Sequence, residues 1–468
     1  MSRINTNVNS LIAQRALKKN TDSTSLSLQR LSTGLQINTG TDDPAGLIAS
    51  EGLKQEQTGI TAAISNASRA GNVIGTAEGG LSEVSGLLNQ LQGLVSQSAN
   101  TGGLSSSEIS ANQLQVDTIL STINRIAGST NFNGQKLLNG NLAYTTSGVT
   151  AGSVNALQVN AAKLPANAAT NIVVGVTQSA RTATLGYAGG ALAAGNNVTI
   201  EISGTAGTQQ VSVAGGSTVA NIVSAVNNVS SSTSVSASLS GANLRLDSTQ
   251  FGSRQFVNLK TISGTFAPTA NSAQGRDANV TINGAAAQVD GLSVKLATSS
   301  FDLSFNVGST INTNTGSTNF YITGGGATFA LGATVNENDK AAIGISSVTT
   351  GSLGDATTGF LSSLASGQSN SLSSKNLVSA QNIVSESITQ VSNLRGRLGA
   401  FQKFTIGSTV NNLGVAYENA SAAQSAIADT DFAATTAALT RSQILSQAAT
   451  TVLSQANSSP QQALKLLQ

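Results

Sequence analysis

Adjacent carboxylates at Asp42 and Asp43 are the residues whose types and spacing could most directly support chemistry. Two neighbouring carboxylates can act as general acid and general base. This pair, however, directly precedes Pro44, and an aspartate before a proline is typical of a helix cap followed by the first helical residue. We therefore interpret the pair as the start of a helix.

Composition limits the remaining chemistry. The chain has 468 residues but no histidine and no cysteine, so the common general bases, thiol nucleophiles and zinc ligands are missing. Carboxylate and Ser-Lys catalysis stay open, although the other acidic residues form no cluster. The glycine run in ITGGGATFALG is not followed by GK[ST], which favours a turn between strands over a phosphate-binding loop. The residues therefore predict an assembly protein with no cofactor and no metal, rather than an enzyme.

Charge and hydropathy argue against binding to nucleic acid and against insertion into a membrane. Charged residues make up 9% of the chain and the net charge is +2, which gives no electrostatic basis for binding nucleic acid. We interpret the small basic cluster at Arg15, Lys18 and Lys19 as a solvated helix face. No apolar run is long enough to span a bilayer, and the N-terminal sequence MSRINTNVNSLIAQRALKK lacks the continuous apolar core of a secretory signal peptide.

Both ends of the chain have helical spacing. Only 4 prolines occur, so long uninterrupted helices are allowed. Apolar residues separated by three and four positions predict a seam near each end. The seam residues are Ile74, Leu81, Val84, Leu88, Leu91 and Val95 in the N-terminal part, and Ile388, Val391, Leu394 and Leu398 in the C-terminal part.

A second N-terminal seam runs through Ile109, Val116 and Ile123, with Asn112 as a polar residue that we expect to set register. Ser105 or Ser106, with Glu108 following, predicts the start of this helix.

In the middle of the chain, residues 141–353, apolar and polar residues alternate in short runs. This alternation predicts short strands, separated by Asn-Gly and Gly-Gly turns. The predicted strands lie in NNVTIEISG, QQVSVAGG, NLRLDST, ANVTINGAAAQVDG and FDLSFNVGS, and STVANIVSAVNNVS predicts one amphipathic helix. We predict an α+β fold, in which both ends form a long antiparallel helical bundle of coiled-coil type and the middle supplies inserted β-rich modules.

The last stretch, RSQILSQAATTVLSQANSSPQQALKLLQ, places Leu445, Ala449, Val452 and Ala456 on one stripe of a helix. Ser459-Pro460 predicts a cap and the restart of a short helix that carries Leu464 and Leu467. A stripe this narrow cannot form a core alone, so it requires a partner.

Long segments at both ends resemble bacterial flagellin. They are MSRINTNVNSLIAQRALKKN, QRLSTGLQINTGTDDPAGLIAS and STNFNGQKLLNG near the N-terminus, and NLRGRLGAFQKF, VNNLGVAYENASAAQSAIADTDFA and QILSQAATTVLSQANSSPQQALKLL near the C-terminus. The resemblance covers about residues 1–140 and 376–468. The middle is similar to flagellin insertion modules, through TIEISGTAGTQQVSVAGGSTVANIVSAVNN with GANLRLDSTQFGS, and through ANVTINGAAAQVDGLSV.

The resemblance implies a structural subunit that polymerises into the extracellular flagellar filament and is exported by the flagellar type III apparatus without a cleaved signal. It implies five segments: 1–43, the N-terminal inner-tube helix; 44–140, outer-tube helices and a hairpin; 141–353, the surface-exposed variable insertion; 354–408, the C-terminal outer-tube helix; and 409–468, the C-terminal inner-tube helix, expected from about Val410 to Leu467. The terminal helices should be largely disordered until they pack. The polymerisation residues implied for the inner tube are Ile4, Val8, Leu11, Leu28, Leu31, Leu445, Ala449, Val452, Ala456, Leu464 and Leu467.

The partners implied are other copies of the same chain, an export chaperone at the C-terminal segment, and the filament cap and hook-junction proteins. The alternative is the hook–filament junction protein, which shares the terminal motifs. The large β-rich insertion and the long C-terminal match favour the filament subunit. An autonomous coiled-coil fibre would need heptads along the whole chain, and the missing histidines exclude an HExxH peptidase insertion.

Two further sites follow from the resemblance. Asn133-Gly134 suits a type I′ hairpin turn, and in flagellins a hairpin here takes part in switching between filament forms. Toll-like receptor 5 binds many flagellins through the segment that matches residues 88–100, with candidate positions Gln90 and Leu94. Strong activators carry an arginine where this chain has Gln90, so we expect weak or no activation.

Overall fold

A computed structural model of the protein describes residues 6–465 except 101, 166–168, 242, 299, 357 and 375. The chain divides into two compact units. Unit 1 contains Met1–Arg69, Ala330–Asp339 and Ile406–Gln468, and unit 2 contains Ala70–Phe329 and Lys340–Thr405.

The α-helices at the two ends of the chain are long, as their spacing predicts. They are α1 (Val8–Thr33), α2 (Pro44–Ser98), α3 (Ser106–Ser129), α7 (Leu377–Ala400), α8 (Ser408–Ala428) and α9 (Phe432–Lys465), with a π-helical segment, Phe401–Gly407, between α7 and α8. Among the described residues, none of these helices has the length and apolarity needed to cross a bilayer.

Two of the predicted helix starts, those of α2 and α3, are confirmed. Helix α2 begins at Pro44, and the Asp43 carboxylate accepts the Ala45 and Gly46 amides at 3.1 and 3.0 Å. Helix α3 begins with a capping box, in which the Ser105 hydroxyl accepts the Glu108 amide and the Glu108 carboxylate accepts the Ser105 amide. Each cap satisfies amides that have no partner inside the helix.

The C-terminal helix differs from its prediction in two places. The single helix expected from Val410 onward is interrupted between α8 and α9, because the Asp431 carboxylate accepts the Ala433 and Ala434 amides and starts a new helix. The restart expected at Ser459-Pro460 is also wrong, since α9 continues through Pro460.

Unit 1 is built on the antiparallel pair of α1 and α9, which contact each other along their length. The chain leaves α1 through Gly34, whose φ of 74° is the left-handed conformation typical of a glycine C-cap. Next to it, the Thr430 amide donates to the Gly34 carbonyl at 2.9 Å, and the Gln36 amide donates to the Ala428 carbonyl at 2.7 Å. These bonds fix one end of the pair.

Unit 2 contains the N-terminal seam and its C-terminal counterpart. Six of the seam residues on α2 are at most 1% exposed, and on α7 Val391, Leu394 and Leu398 are at most 4% exposed while Ile388 is half-buried. The Arg395 guanidinium on α7 forms an ion pair of 2.8 Å with Glu78 on α2. Helices α2 and α7 are therefore neighbours in unit 2.

The β-rich part of unit 2 consists of one module inserted into another. The outer module contains β3 (Thr145–Ser147), β4 (Val154–Ala162), β5 (Thr170–Gln178), β13 (Asn279–Ile282), β14 (Ala285–Ala286), β15 (Gln288–Asp290), β16 (Ser293–Ala297), β17 (Phe301–Val307), α6 (Ser309–Thr313) and β18 (Gly316–Gly324). Its sheets have the orders β14-β13-β5-β18-β3 and β15-β16-β17-β4, and they enclose one hydrophobic core.

The inner module contains β6 (Thr184–Tyr187), β7 (Val198–Gly204), β8 (Gly207–Val213), α4 (Val219–Asn227), α5 (Ser230–Thr233), β9 (Val235–Ser240), β10 (Asn243–Ser248), β11 (Phe256–Ser263) and β12 (Ser272–Gln274). Its sheets, β6-β10-β9 and β12-β11-β7-β8, enclose a second core that includes the buried face of α4. The chain enters the inner module after Arg181 and leaves it before Arg276. These two residues exchange backbone hydrogen bonds of 2.8 and 2.9 Å.

Short strands complete the fold. They are β1 (Asn131–Phe132), β2 (Gln135–Lys136), β19 (Ala327–Ala330), β20 (Lys340–Ile343), β21 (Gly354–Asp355) and β22 (Gly359–Phe360). Strands β1 and β2 form the predicted hairpin, in which Asn133 and Gly134 have φ angles of 54° and 83°. Both positive angles are those of a type I′ turn.

Candidate assembly surface

The buried positions of the seam between α1 and α9 carry small side chains. Ser10, Ala13 and Ser27 of α1 and Ala449 of α9 are each at most 8% exposed. Side chains this small let two helices approach closely, but they bury little apolar area. These buried positions therefore contribute little hydrophobic stabilisation.

Leu17 and Leu31 of α1 and Leu439 and Leu453 of α9 are half-buried at the spacing of this seam, whereas other large aliphatic side chains of the two helices are exposed. We call the exposed ones the aliphatic set: Val8, Leu11, Ile12 and Leu28 on α1, and Ile444, Leu445 and Val452 on α9. Their exposed fractions lie between 46% and 61%. Single exposed aliphatic residues are common on protein surfaces, but two aligned helices that expose this many form an apolar surface without a partner.

Five of the predicted polymerisation residues belong to the aliphatic set, namely Val8, Leu11, Leu28, Leu445 and Val452. Three others lie at or near the seam: Ala449 is buried, and Leu31 and Ala456 are half-buried. Ile4, Leu467 and the side chain of Leu464 lie outside the described residues. The stripe predicted on α9 thus divides between two faces of the helix.

A polar cluster joins the far end of the pair. The Asn7 side chain caps α1 by accepting the Ser10 amide at 3.0 Å, and its Nδ2 donates to the Ala456 carbonyl of α9 at 2.7 Å. The Ser10 hydroxyl donates to Oδ1 of Asn457 at 2.8 Å. The sequence does not predict this contact for Asn7 or Ser10, because an asparagine and a serine near a helix start predict only a cap.

The loop between α1 and α2 is held by the first of the paired carboxylates. Asp42 accepts the Asn38 and Thr39 amides at 3.0 and 2.8 Å. These bonds, the Thr39 amide first, lower the pKa of Asp42 below its ordinary value. Together with Asp43 at the cap of α2, Asp42 is therefore part of the chain reversal, which confirms the structural interpretation of the pair.

In unit 2, the buried side-chain amide of Gln113 holds the backbone beside α3, and the sequence did not predict this contact. Gln113 is 4% exposed, and its side chain donates to the Leu364 carbonyl at 2.9 Å and accepts the Leu372 amide at 2.8 Å. Its neighbour Asn112, the residue expected to set register, is half-buried and donates to the Ser98 hydroxyl at 3.3 Å. Position alone could not distinguish these two amides, because they are adjacent on the helix.

Asp117 extends the same network. It accepts hydrogen bonds from the Gln113 side chain at 3.0 Å, the Ser366 amide at 2.9 Å and the Ser366 hydroxyl. Burial acts to raise the pKa of Asp117, but these bonds outweigh burial and place the pKa below its ordinary value.

The candidate receptor positions differ in exposure. Gln90 is exposed on α2, whereas Leu94 is 9% exposed, and Leu88 and Leu91 are fully buried. Only Gln90 of the two candidates therefore presents most of its side chain to a partner.

Among the residues that the structure describes, no three Asp, Glu, His or Cys side chains are placed to hold a metal ion. The features that stand out are packing surfaces and chain reversals.

Three protein-family models match parts of the chain. A family model described as the bacterial flagellin N-terminal helical region matches residues 4–143, and the bacterial flagellin C-terminal helical region matches residues 381–467. The flagellin hook IN motif matches residues 199–250, within the inner module.

Individual relatives extend over the whole chain. The B-type flagellin of Pseudomonas aeruginosa is 30% identical over 522 aligned positions, covering 99% of each chain. Flagellin B of Vibrio cholerae is 29% identical over 467 positions, again covering 99% of each chain. Polar flagellin F of Vibrio parahaemolyticus is 40% identical over 156 positions, covering 33% of this chain and 41% of the relative.

Proposed function

The chain belongs to the bacterial flagellin family, and we propose that the aliphatic set of α1 and α9 is the surface through which its copies pack in the filament. As a flagellin, the protein is a structural subunit that self-assembles into the extracellular flagellar filament, and it is not an enzyme. The full-length relatives named above are themselves flagellins, and nothing favours the hook–filament junction protein.

One observation carries the assignment of the surface. The α1/α9 pair fully buries only small residues in its own seam and leaves the seven side chains of the aliphatic set 46% to 61% exposed. Complete burial of one such side chain is worth about 1.5–3 kcal/mol, so neighbouring copies that cover the set would gain many times that amount. Contacts between unlike faces of identical subunits that do not close into a ring produce a helical filament.

The five-segment division of the chain is part of the proposal. We assign 1–43 and 409–468 to the inner tube, 44–140 and 354–408 to the outer tube, and 141–353 to the filament surface. Unit 1 contains both proposed inner-tube segments, which supports their pairing. The boundary between the two units falls at Arg69, inside the proposed outer-tube segment, so the tubes and the compact units do not coincide.

Deletion of Gln443–Gln468 tests the assembly surface. The deletion removes Ile444, Leu445 and Val452 but leaves the cores of unit 2 intact. We expect a soluble chain with the wild-type near-ultraviolet and thermal signatures of unit 2, and no filaments after seeding with filament fragments. Normal filaments formed by the truncated chain would contradict the proposal.

The remaining partners would use the same exposed helices. We assign the C-terminal segment to an export chaperone, because a helix that exposes Ile444 and Val452 before assembly needs a temporary cover in the cell. The filament cap and the hook-junction proteins would meet the same faces at the two ends of the filament. Co-purification of the full chain with its chaperone, lost after the Gln443–Gln468 deletion, tests the first assignment.

Export without cleavage completes the proposal. The N-terminal sequence lacks a continuous apolar core, and the described part of α1 exposes Arg15, Lys18 and Lys19 to solvent. Intact-mass measurement of subunits from isolated filaments should give the mass of the whole chain, 46.8 kDa before any modification. A shorter N-terminus would overturn this part.

A further inference from the structure

Before its last turn, helix α9 contains a backbone carbonyl whose intrahelical donor is removed by a proline. In an α-helix, each carbonyl accepts the amide hydrogen four residues later. Pro460 has no amide hydrogen, and α9 continues through it, so the Ala456 carbonyl lacks its intrahelical donor. Pro460 is the only proline in the sequence of α9, so this helix has a single vacancy of that kind.

Asn7 supplies the missing donor from the other helix. Its Nδ2 lies 2.7 Å from the Ala456 oxygen, and its Oδ1 accepts the Ser10 amide at 3.0 Å. The two partners together determine the orientation of the amide, because one partner is an acceptor and the other a donor. One side chain thus caps α1 and completes the hydrogen bonding of α9.

The seam itself selects register only weakly. The half-buried and buried positions of α9 repeat at intervals of three and four residues, and they alternate between small side chains such as Ser442 and Ala449 and the leucines Leu439 and Leu453. Sliding one helix by a turn would place the next seam position of α9 against each seam position of α1, so the spacing of the seam alone does not specify one register. A register-specific contact must therefore be polar and must occur once.

We propose that Asn7 is a positioning residue that sets the register of α1 on α9 by recognising the carbonyl left free by Pro460. This inference rests on the proposed function, since it concerns how the assembly surface is aligned. In a pair shifted by one turn, the Asn7 amide would face a carbonyl that already has its intrahelical partner, and the Ala456 carbonyl would remain unsatisfied. A single unmatched polar group of this kind is enough to fix the register of paired helices.

The register of α1 on α9 determines which members of the aliphatic set lie beside each other on the assembly surface. Val8 and Leu11 lie on α1 directly beside the Asn7 contact, and Val452 lies on α9 one turn before Ala456. A slip of one turn would displace the α1 members of the aliphatic set by about 5.4 Å relative to the α9 members. Neighbouring copies would then meet a mismatched surface.

The test combines Asn7→Asp, Pro460→Ala and the double variant in the full-length chain. Aspartate keeps the cap on α1 because its oxygen still accepts the Ser10 amide, but it has no donor for the Ala456 carbonyl. Alanine at position 460 restores the intrahelical donor, so the carbonyl no longer depends on Asn7. The critical concentration for growth on filament seeds is measured for all four chains.

We expect Asn7→Asp to raise the critical concentration roughly tenfold, the effect of leaving one carbonyl unpaired. Pro460→Ala alone should polymerise close to wild type, and the penalty of Asn7→Asp should fall to less than threefold in the Pro460→Ala background. An unchanged critical concentration for Asn7→Asp, or an equal penalty in both backgrounds, would overturn the proposal.

A second measurement reads register directly. The chain has no cysteine, so any disulfide that forms after oxidation comes from an introduced pair of cysteines. Ala13 and Ala449 are buried seam residues that lie six and seven positions along their helices from the Asn7–Ala456 bond, and Leu453 lies one turn further along α9. Oxidation should favour Ala13→Cys with Ala449→Cys over Ala13→Cys with Leu453→Cys, and Asn7→Asp should reduce that preference unless Pro460→Ala is also present.

The cross-linking is carried out on the soluble chain as well as on pelleted filaments, which separates the two levels of inference. Wild-type chains that fail to grow on seeds while showing the Asn7-dependent cross-link would contradict the assembly surface and support the register contact. If the wild-type chain grows on seeds and Asn7→Asp gives the same cross-linking pattern as wild type, the assembly surface is supported and the register contact is contradicted.

Discussion

Ala449 and Val452 lie three residues apart on α9, yet Ala449 is 8% exposed and Val452 is 58% exposed. The smaller side chain packs in the seam with α1, and the larger one faces away from it. This inversion of the usual burial order is what indicates that α9 has a second partner.

Replacing Val452 by threonine should weaken assembly without affecting the fold of the chain. Threonine has nearly the same shape but places a hydroxyl where the proposed filament contact is apolar, which costs about 1–3 kcal/mol. We expect the critical concentration for seeded growth to rise at least fivefold while the thermal unfolding of the soluble chain stays the same. Thr451→Ser, which removes a methyl group from the exposed neighbouring residue, is the control and should polymerise normally. Equal growth of the two variants would argue against Val452 as a contact.

Replacing Gly134 by valine should alter the shape of the filament before it prevents folding. Its φ of 83° disfavours any β-branched residue, and a Cβ there would meet no atom within 4 Å, so the cost is confined to the backbone. That cost is about 1–2 kcal/mol. Dark-field microscopy across pH and salt should show a shifted waveform for Gly134→Val and the wild-type waveform for Asn133→Gly, which tolerates positive φ. A wild-type waveform for Gly134→Val would remove the hairpin from the switching mechanism.

The network at Asp117 should make the stability of unit 2 sensitive to acid. Its folded pKa lies below the unfolded value of about 3.9, so the unfolded chain binds more protons in acid. The stabilisation is therefore complete above about pH 5 and is lost as the pH falls through 3.9 toward the folded pKa.

Asp117→Asn should accordingly lower the melting temperature of unit 2 at pH 7 and make little difference near pH 3. Glu83→Gln removes the same charge from an exposed position on α2 and serves as the control. Circular dichroism melts between pH 3 and pH 7 provide the measurement. A constant difference between Asp117→Asn and wild type over that range would show that the carboxylate is not the titrating group.

The exposed Gln90 should limit signalling through Toll-like receptor 5. Glutamine has neither the fixed charge nor the planar set of donors of arginine, and an arginine anchor at an interface is commonly worth about 2 kcal/mol, or roughly thirtyfold in affinity. We expect monomeric protein to activate reporter cells weakly and Gln90→Arg to activate them more strongly. Asn89→Arg, which adds the same charge at the adjacent exposed position, is the control. Potent activation by the unmodified chain would place the contact elsewhere.

Much of unit 2 could be predicted from the sequence because its signals are local. The three-four spacing from Ile74 to Val95 continues over about six turns and predicts the buried seam that is found, and Asn133-Gly134 permits positive φ at two successive positions. Ser105 with Glu108 leaves few interpretations other than a capping box.

Unit 1 was harder to predict because its packing depends on which face of each helix packs against the other helix and which face stays exposed. Leu445, Ala449 and Val452 form one stripe in the sequence, and nothing in their types reveals that only the alanine packs within the chain. Pro460 predicts the start of a helix by propensity. The helix instead continues through it, and Asn7, more than four hundred positions away in the sequence, donates to the carbonyl that the proline leaves free.

The paired backbone bonds between Arg181 and Arg276 have a consequence for the diversity this chain can tolerate. Because the chain departs from and returns to the outer module at adjacent points, residues 182–275 form a cassette whose two ends already meet. A tight turn, a foreign epitope or an enzyme with neighbouring termini can be grafted across that junction, while the helical frame retains its seam from Ile74 to Val95.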